Sequence, residues 1–78
     1  MLIDIALDAM GSDKAPEPEI RGAILACRSL NVRVHLIGPE SLIRPRLQQA
    51  LAHNMFGARL PIDIVHTDEY IAMDEKAA

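Results

Sequence analysis

Three short aliphatic runs, separated by two stretches with helical spacing, leave this chain few ways to fold. Residues 2–7, "LIDIAL", are rich in Leu and Ile and end at Asp8, which predicts a largely buried strand of the parallel-sheet kind. Asp4 interrupts the run, so it belongs at an edge or at the solvent-facing start of that strand. Further on, Ile20, Ala23, Ile24, Cys27 and Leu30 form one apolar stripe, and the spacing predicts a helix over residues 17–30. Pro16 and Pro18 fall in its first turn, where a missing N–H costs little, and Asn31 is placed to close it in the left-handed conformation. Residues 32–37, "VRVHLI", predict a second strand that Gly38-Pro39 stops. Ser41 is placed as the N-cap of a second helix with the stripe Ile43, Leu47, Ala50 and Leu51, and Pro45 falls inside it. Residues 62–65, "IDIV", predict a third strand. Strands and helices alternating across short connections imply right-handed crossovers and a parallel α/β sheet.

"MDEKAA" reads as the start of a third helix at Asp74. A parallel sheet needs helices on both faces, and two helices cannot supply them, so residues 1–78 are expected to be the N-terminal fragment of a single larger α/β catalytic domain. A domain of this size would bury only about 60% of its unfolded surface. The net charge of −3, with Lys and Arg scattered singly, offers no basic patch and argues against a nucleic-acid partner. The single Cys27 cannot form an internal disulfide, and the N-terminus has no signal-peptide pattern, which points to a cytoplasmic location. No apolar run reaches the roughly 18 residues of a membrane span.

In open parallel sheets ligands bind beyond the carboxyl ends of the strands, where the following loops and helix starts converge. Here "DAMGSDK", "GPES" and "HTDE" reach that rim. In the first, backbone N–H groups around Gly11 and Ser12, the Ser12 hydroxyl and the Lys14 ammonium could hold an oxyanion. The loop matches neither common phosphate-binding fingerprint. An equally plain reading has Gly11 turning the chain, Asp8 and Asp13 accepting N–H bonds, and Lys14 solvated. Glu17 and Glu19 already complement the following helix dipole, so an anion would sit on the loop rather than on that helix end. Among the histidines, His35 and His53 read as structural, whereas His66, near Asp68 and Glu69 at the end of the third strand, is a candidate site residue. The histidines and acids show no metal-ligand spacing, and Cys27 on a buried stripe reads as a small hydrophobe. A receiver-type signalling module and a non-catalytic anion-binding or assembly module remain open on these residues alone.

"IALDAMGSDKAPE", an amphipathic helix, a strand ending "LIG" and then "IVHTDEYIAMDEKAA" closely resemble the N-terminus of the bacterial phosphate acyltransferases of phospholipid synthesis, across essentially all 78 residues. That family normally reads Gly-Gly-Asp where this chain has Gly11-Ser12-Asp13, and Ser12 is less free than Gly to take positive φ. The resemblance implies an enzyme of several hundred residues with a three-layer α-β-α fold similar to isocitrate dehydrogenase and phosphotransacetylase, usually a homodimer. It implies transfer of a fatty acyl group from acyl carrier protein to inorganic phosphate, giving an acyl phosphate for phospholipid synthesis, without cofactor or metal. It also implies a cytoplasmic protein attached peripherally at the inner membrane surface, and a 78-residue fragment that is inactive alone. The residues expected to border the phosphate site are Asp8, Gly11, Ser12, Asp13, Lys14 and His66, with Asp8 and Asp13 holding the loop, and no residue is named as the catalyst.

Overall fold

A computed structural model describes residues 1–53 and 60–68. The elements follow the expected alternation: β1 (Ile3–Asp8), α1 (Glu17–Ser29), β2 (Val32–Gly38), α2 (Glu40–Ala52) and β3 (Ile62–His66). The strands form one parallel sheet in the order β1-β2-β3. The helix expected from Asp74 lies outside the described residues.

Side chains alternate across a strand, and on β2 this leaves Val32, Val34 and Leu36 buried and Arg33, His35 and Ile37 half-buried on the opposite face. The buried set meets Ile20 and Ala23 of α1 and Ile43 and Leu47 of α2, with Ala9 at the strand end completing the core. Ile24, Cys27, Ala50 and Leu51 pack at its margin, as their stripes predict. Both helices therefore cover the same face. Two crossovers of one hand, stepping the same way from β1 to β2 to β3, produce that arrangement. Among the described residues there are thus two layers of the α/β fold. No helix among them is long and apolar enough to cross a membrane.

Several local expectations need correction. β1 is mostly exposed rather than largely buried: Ile3 is 65% and Ile5 40% accessible, because β1 is an edge strand and the helices pack mainly over β2 and β3. Helix α1 ends at Ser29, and Leu30 is an extended C-cap, 60% exposed, so it leaves the stripe. Asn31 is not left-handed; its side-chain amide donates to the Met1 carbonyl at 3.0 Å, and its own carbonyl receives the Ile3 N–H. The chain needs no reversal there because Leu30 already runs into β2. Ser41 is not the N-cap of α2, since Pro39 holds that position and Ser41 lies within the first turn.

The face away from the helices carries an ion-pair network set by strand register. Asp4, Arg33 and His35 are neighbours across β1 and β2, and Asp63 pairs with His35 across β2 and β3. The His35 Nε2 is 2.9 Å from an Asp4 oxygen, and Arg33 lies 3.3 Å from Asp63 and 3.8 Å from Asp4. His35 thus pairs within the sheet network, in line with a structural reading, and Asp4 stands at an exposed edge, as expected.

Candidate functional site

The rim begins where β1 ends. The ladder continues one residue further, with the Ala9 N–H donating to the Ile37 carbonyl at 2.9 Å. The Asp8 carboxylate then accepts the Met10 N–H at 2.9 Å, an Asx turn that swings the chain off the sheet. Beyond it, the Ser12 carbonyl accepts the Ala15 N–H and the Lys14 carbonyl accepts the Glu17 N–H, each at 3.2 Å. Buried Pro16, which follows a cis peptide bond, caps α1 with its carbonyl, which receives the Ile20 N–H at 2.9 Å. Pro18 sits within the first turn, and Glu17 and Glu19 are both there as expected.

These turns use carbonyls as acceptors and leave amides over. The N–H groups of Gly11, Ser12, Asp13 and Lys14 have no hydrogen-bond partner among the described residues. Asp13 and Lys14 are exposed, and neither forms an ion pair among the described residues. Neither Gly11 nor Ser12 occupies the left-handed region, so a serine at the second position strains nothing. The Ser12 hydroxyl oxygen is itself buried with no hydrogen-bond partner among the described residues.

Next to the loop, β2 ends at Gly38, whose carbonyl accepts the Thr67 N–H at 3.0 Å and so ties β2 to the exit of β3. The backbone N–H of Glu40, first residue of α2, donates to the His66 Nδ1 at 3.0 Å. The other ring nitrogen, Nε2, is 3.3 Å from an Asp68 oxygen. Arg44 grips a single carboxylate oxygen of Glu40 through Nε at 2.7 Å and Nη2 at 2.6 Å. Glu40, Ser41, Arg44, Pro45, Gln48 and His66 line a cavity of about 620 Å³.

Five of the six candidate residues, Asp8 to Lys14, thus share one loop, while His66 stands across the rim, bonded to the start of α2 rather than to that loop. Glu69 lies outside the described residues. His53 caps α2, its Nδ1 2.9 Å from the Gln49 carbonyl, which agrees with a structural role. Cys27 is half-buried with its sulfur 3.6 Å from the Pro61 carbonyl; burial raises its thiol pKa, offset in part by a backbone hydrogen bond from Val34, so it is a poor nucleophile. Sequence reasoning placed Glu40 at the rim only as part of "GPES" and passed over Arg44 and Gln48. The i,i+4 spacing of Glu40 and Arg44 was a signal for their ion pair, but nothing local showed that β3 would bring His66 beside them.

Residues 3–78 match the family model described as "Fatty acid synthesis protein". The whole chain is 70% identical to a protein of Acidobacterium capsulatum and 55% identical to one of Koribacter versatilis, both named "Phosphate acyltransferase", of which it covers 22% and 21%. A phosphate acyltransferase of Aquifex aeolicus is 35% identical over 74 residues, covering 95% of this chain and 21% of the relative. The chain therefore spans about a fifth of the length of these curated relatives. No solved structure matches it.

Proposed function

Because the chain belongs to this fatty acid synthesis family, we propose that it is the N-terminal portion of a phosphate acyltransferase and that its first loop holds the phosphate. The observation that carries the reading is the set of four successive backbone amides, Gly11 to Lys14, without partners among the described residues, beside the exposed Lys14 ammonium. Such a run of donors suits an oxyanion. Asp8 is occupied in turning the loop, and the glutamates of α1 keep a second anion off that helix end.

The substrates are inorganic phosphate and an acyl thioester of acyl carrier protein. A phosphate oxygen forms a bond to the acyl carbon, the carbon–sulfur bond breaks, and the carrier thiolate leaves with the electron pair and takes up a proton. Phosphate is already nucleophilic, so the loop's task is to hold it in line with the carbonyl. The product is an acyl phosphate for phospholipid synthesis. The family reading further assigns residues 1–78 to one larger three-layer catalytic domain, with the protein a homodimer lying in the cytoplasm and touching the inner membrane surface. The 78 residues are inactive alone.

The test uses the full-length protein with acyl carrier protein thioester and inorganic phosphate, with acyl phosphate trapped by hydroxylamine. Lys14→Ala is expected to raise the KM for phosphate about tenfold, in line with the loss of one charge-assisted hydrogen bond. A wild-type protein that forms no acyl phosphate sinks the activity; an unchanged phosphate KM sinks the role of the loop.

A further inference from the structure

We propose that His66 is a hydrogen-bond donor of fixed tautomer that positions a carbonyl oxygen of a ligand seated in the cavity beside α2. The Nδ1 of His66 accepts the Glu40 N–H, so in the neutral ring the hydrogen sits on Nε2. A ring held this way offers an N–H, not a lone pair, and serves as a donor rather than as a base. Its present partner is the Asp68 carboxylate at 3.3 Å, a long contact to a side chain that is 90% exposed, which a ligand oxygen can replace.

Charge selects the kind of oxygen. Among the described residues, Glu40 and Arg44 neutralise one another, and Asp68 adds one negative charge to this part of the rim. A phosphate dianion is repelled there, whereas a neutral thioester or amide carbonyl is not. The cavity, about 620 Å³ and broadly open to solvent, has room for part of an extended chain lying along α2. The Pro45 ring and the methylene stems of Arg44 and Gln48 offer aliphatic wall to an extended chain. The identification of the carbonyl as a thioester rests on the acyltransferase reading: the first loop takes the phosphate and His66 the acyl donor.

The test is made on the full-length protein labelled with ¹⁵N-histidine in mildly alkaline solution. Long-range proton–nitrogen spectra are expected to show His66 protonated at Nε2 and bare at Nδ1. An acyl-pantetheine thioester is expected to shift the Nε2 signal, and inorganic phosphate alone is not. Two variants divide the ring's roles. In H66N the amide oxygen can keep the Glu40 bond but the Nε2 donor is gone, and kcat/KM for the thioester is expected to fall about a hundredfold at nearly unchanged Tm, the loss typical of removing one such donor. In H66Q the amide nitrogen reaches the Nε2 position, so activity is largely kept while Tm falls. A proton on Nδ1, equal shifts from phosphate and thioester, or equal activity in H66N and H66Q would each overturn the proposal. A wild-type protein that shows the tautomer and the thioester shift but makes no acyl phosphate overturns the acyltransferase reading and leaves His66 as assigned.

Discussion

The Cδ1 of Ile43 stands 2.8 Å from the point where a β-carbon on Gly38 would be built, closer than such atoms approach in real proteins. Ile43 is fully buried, so its methyl has no open space to move into, and Met10 Cγ at 3.3 Å must also give by a few tenths of an ångström. Gly38 is glycine for room rather than for an unusual φ. Gly38→Ala is expected to cost about 1–3 kcal/mol, the usual range for overpacking a core, seen as a lower Tm in thermal unfolding. An unchanged Tm would mean that α2 shifts freely on the sheet.

Gly11 is the opposite case. A β-carbon there would meet the Asp8 carbonyl at 3.5 Å, an ordinary contact, and the φ suits any residue. Gly11→Ala should change stability by less than about 0.5 kcal/mol, as at unremarkable surface positions. Gly11→Val in the full-length protein is expected to lower phosphate usage more than folding stability, because the added bulk stands beside the unpartnered amides. Parallel losses of melting temperature and activity would favour a purely structural loop.

Among the described residues, Asp8 has one identifiable task, accepting the Met10 N–H. Asp8→Ala leaves that amide without an acceptor and is expected to cost about 0.5–1.5 kcal/mol. Asp8→Asn keeps an acceptor oxygen and should retain most of the stability. Chemical denaturation of the two variants separates these outcomes, and equal destabilisation would assign the loss to charge instead.

At Cys27 the raised pKa has a chemical signature. Iodoacetamide is expected to alkylate the folded protein more slowly at neutral pH than the same protein in denaturant, with the gap closing only in alkaline solution. The sign follows from linkage. A thiol whose pKa is higher when folded favours the fold in its protonated form, and that contribution fades as pH rises through the folded value. Equal rates at neutral pH would contradict it.

Much of the fold was legible because the pattern that builds it is local. The stripes Ile20/Ala23 and Ile43/Leu47 and the aliphatic β2 run carry their own periodicity, and they became the core. The errors fell where an answer depends on a distant partner. The burial of β1 depends on which strands the helices cover, and "LIDIAL" cannot state that. The Asp4–Arg33–Asp63 network exists only through strand register, so neither Arg33 nor Asp63 stood out. Ser41 looked like a cap because capping is usually a neighbour's task, yet here the Glu40 amide goes to His66, 26 positions along the chain. The candidate loop was visible as a loop, but its four unpartnered amides are a matter of hydrogen-bond accounting that only the folded chain displays.

That bond between Glu40 and His66 also bears on the order of assembly. Neither helix start has a side-chain cap of its own, and α2 receives one only from β3. An isolated peptide spanning α2 therefore lacks the group that finishes its first turn, and nucleating a helix without such help is unfavourable. The first turn of α2 is completed when the third strand docks, a contact of long sequence separation that forms slowly compared with a helix. The docking of one strand thus finishes both the helix start and one wall of the cavity.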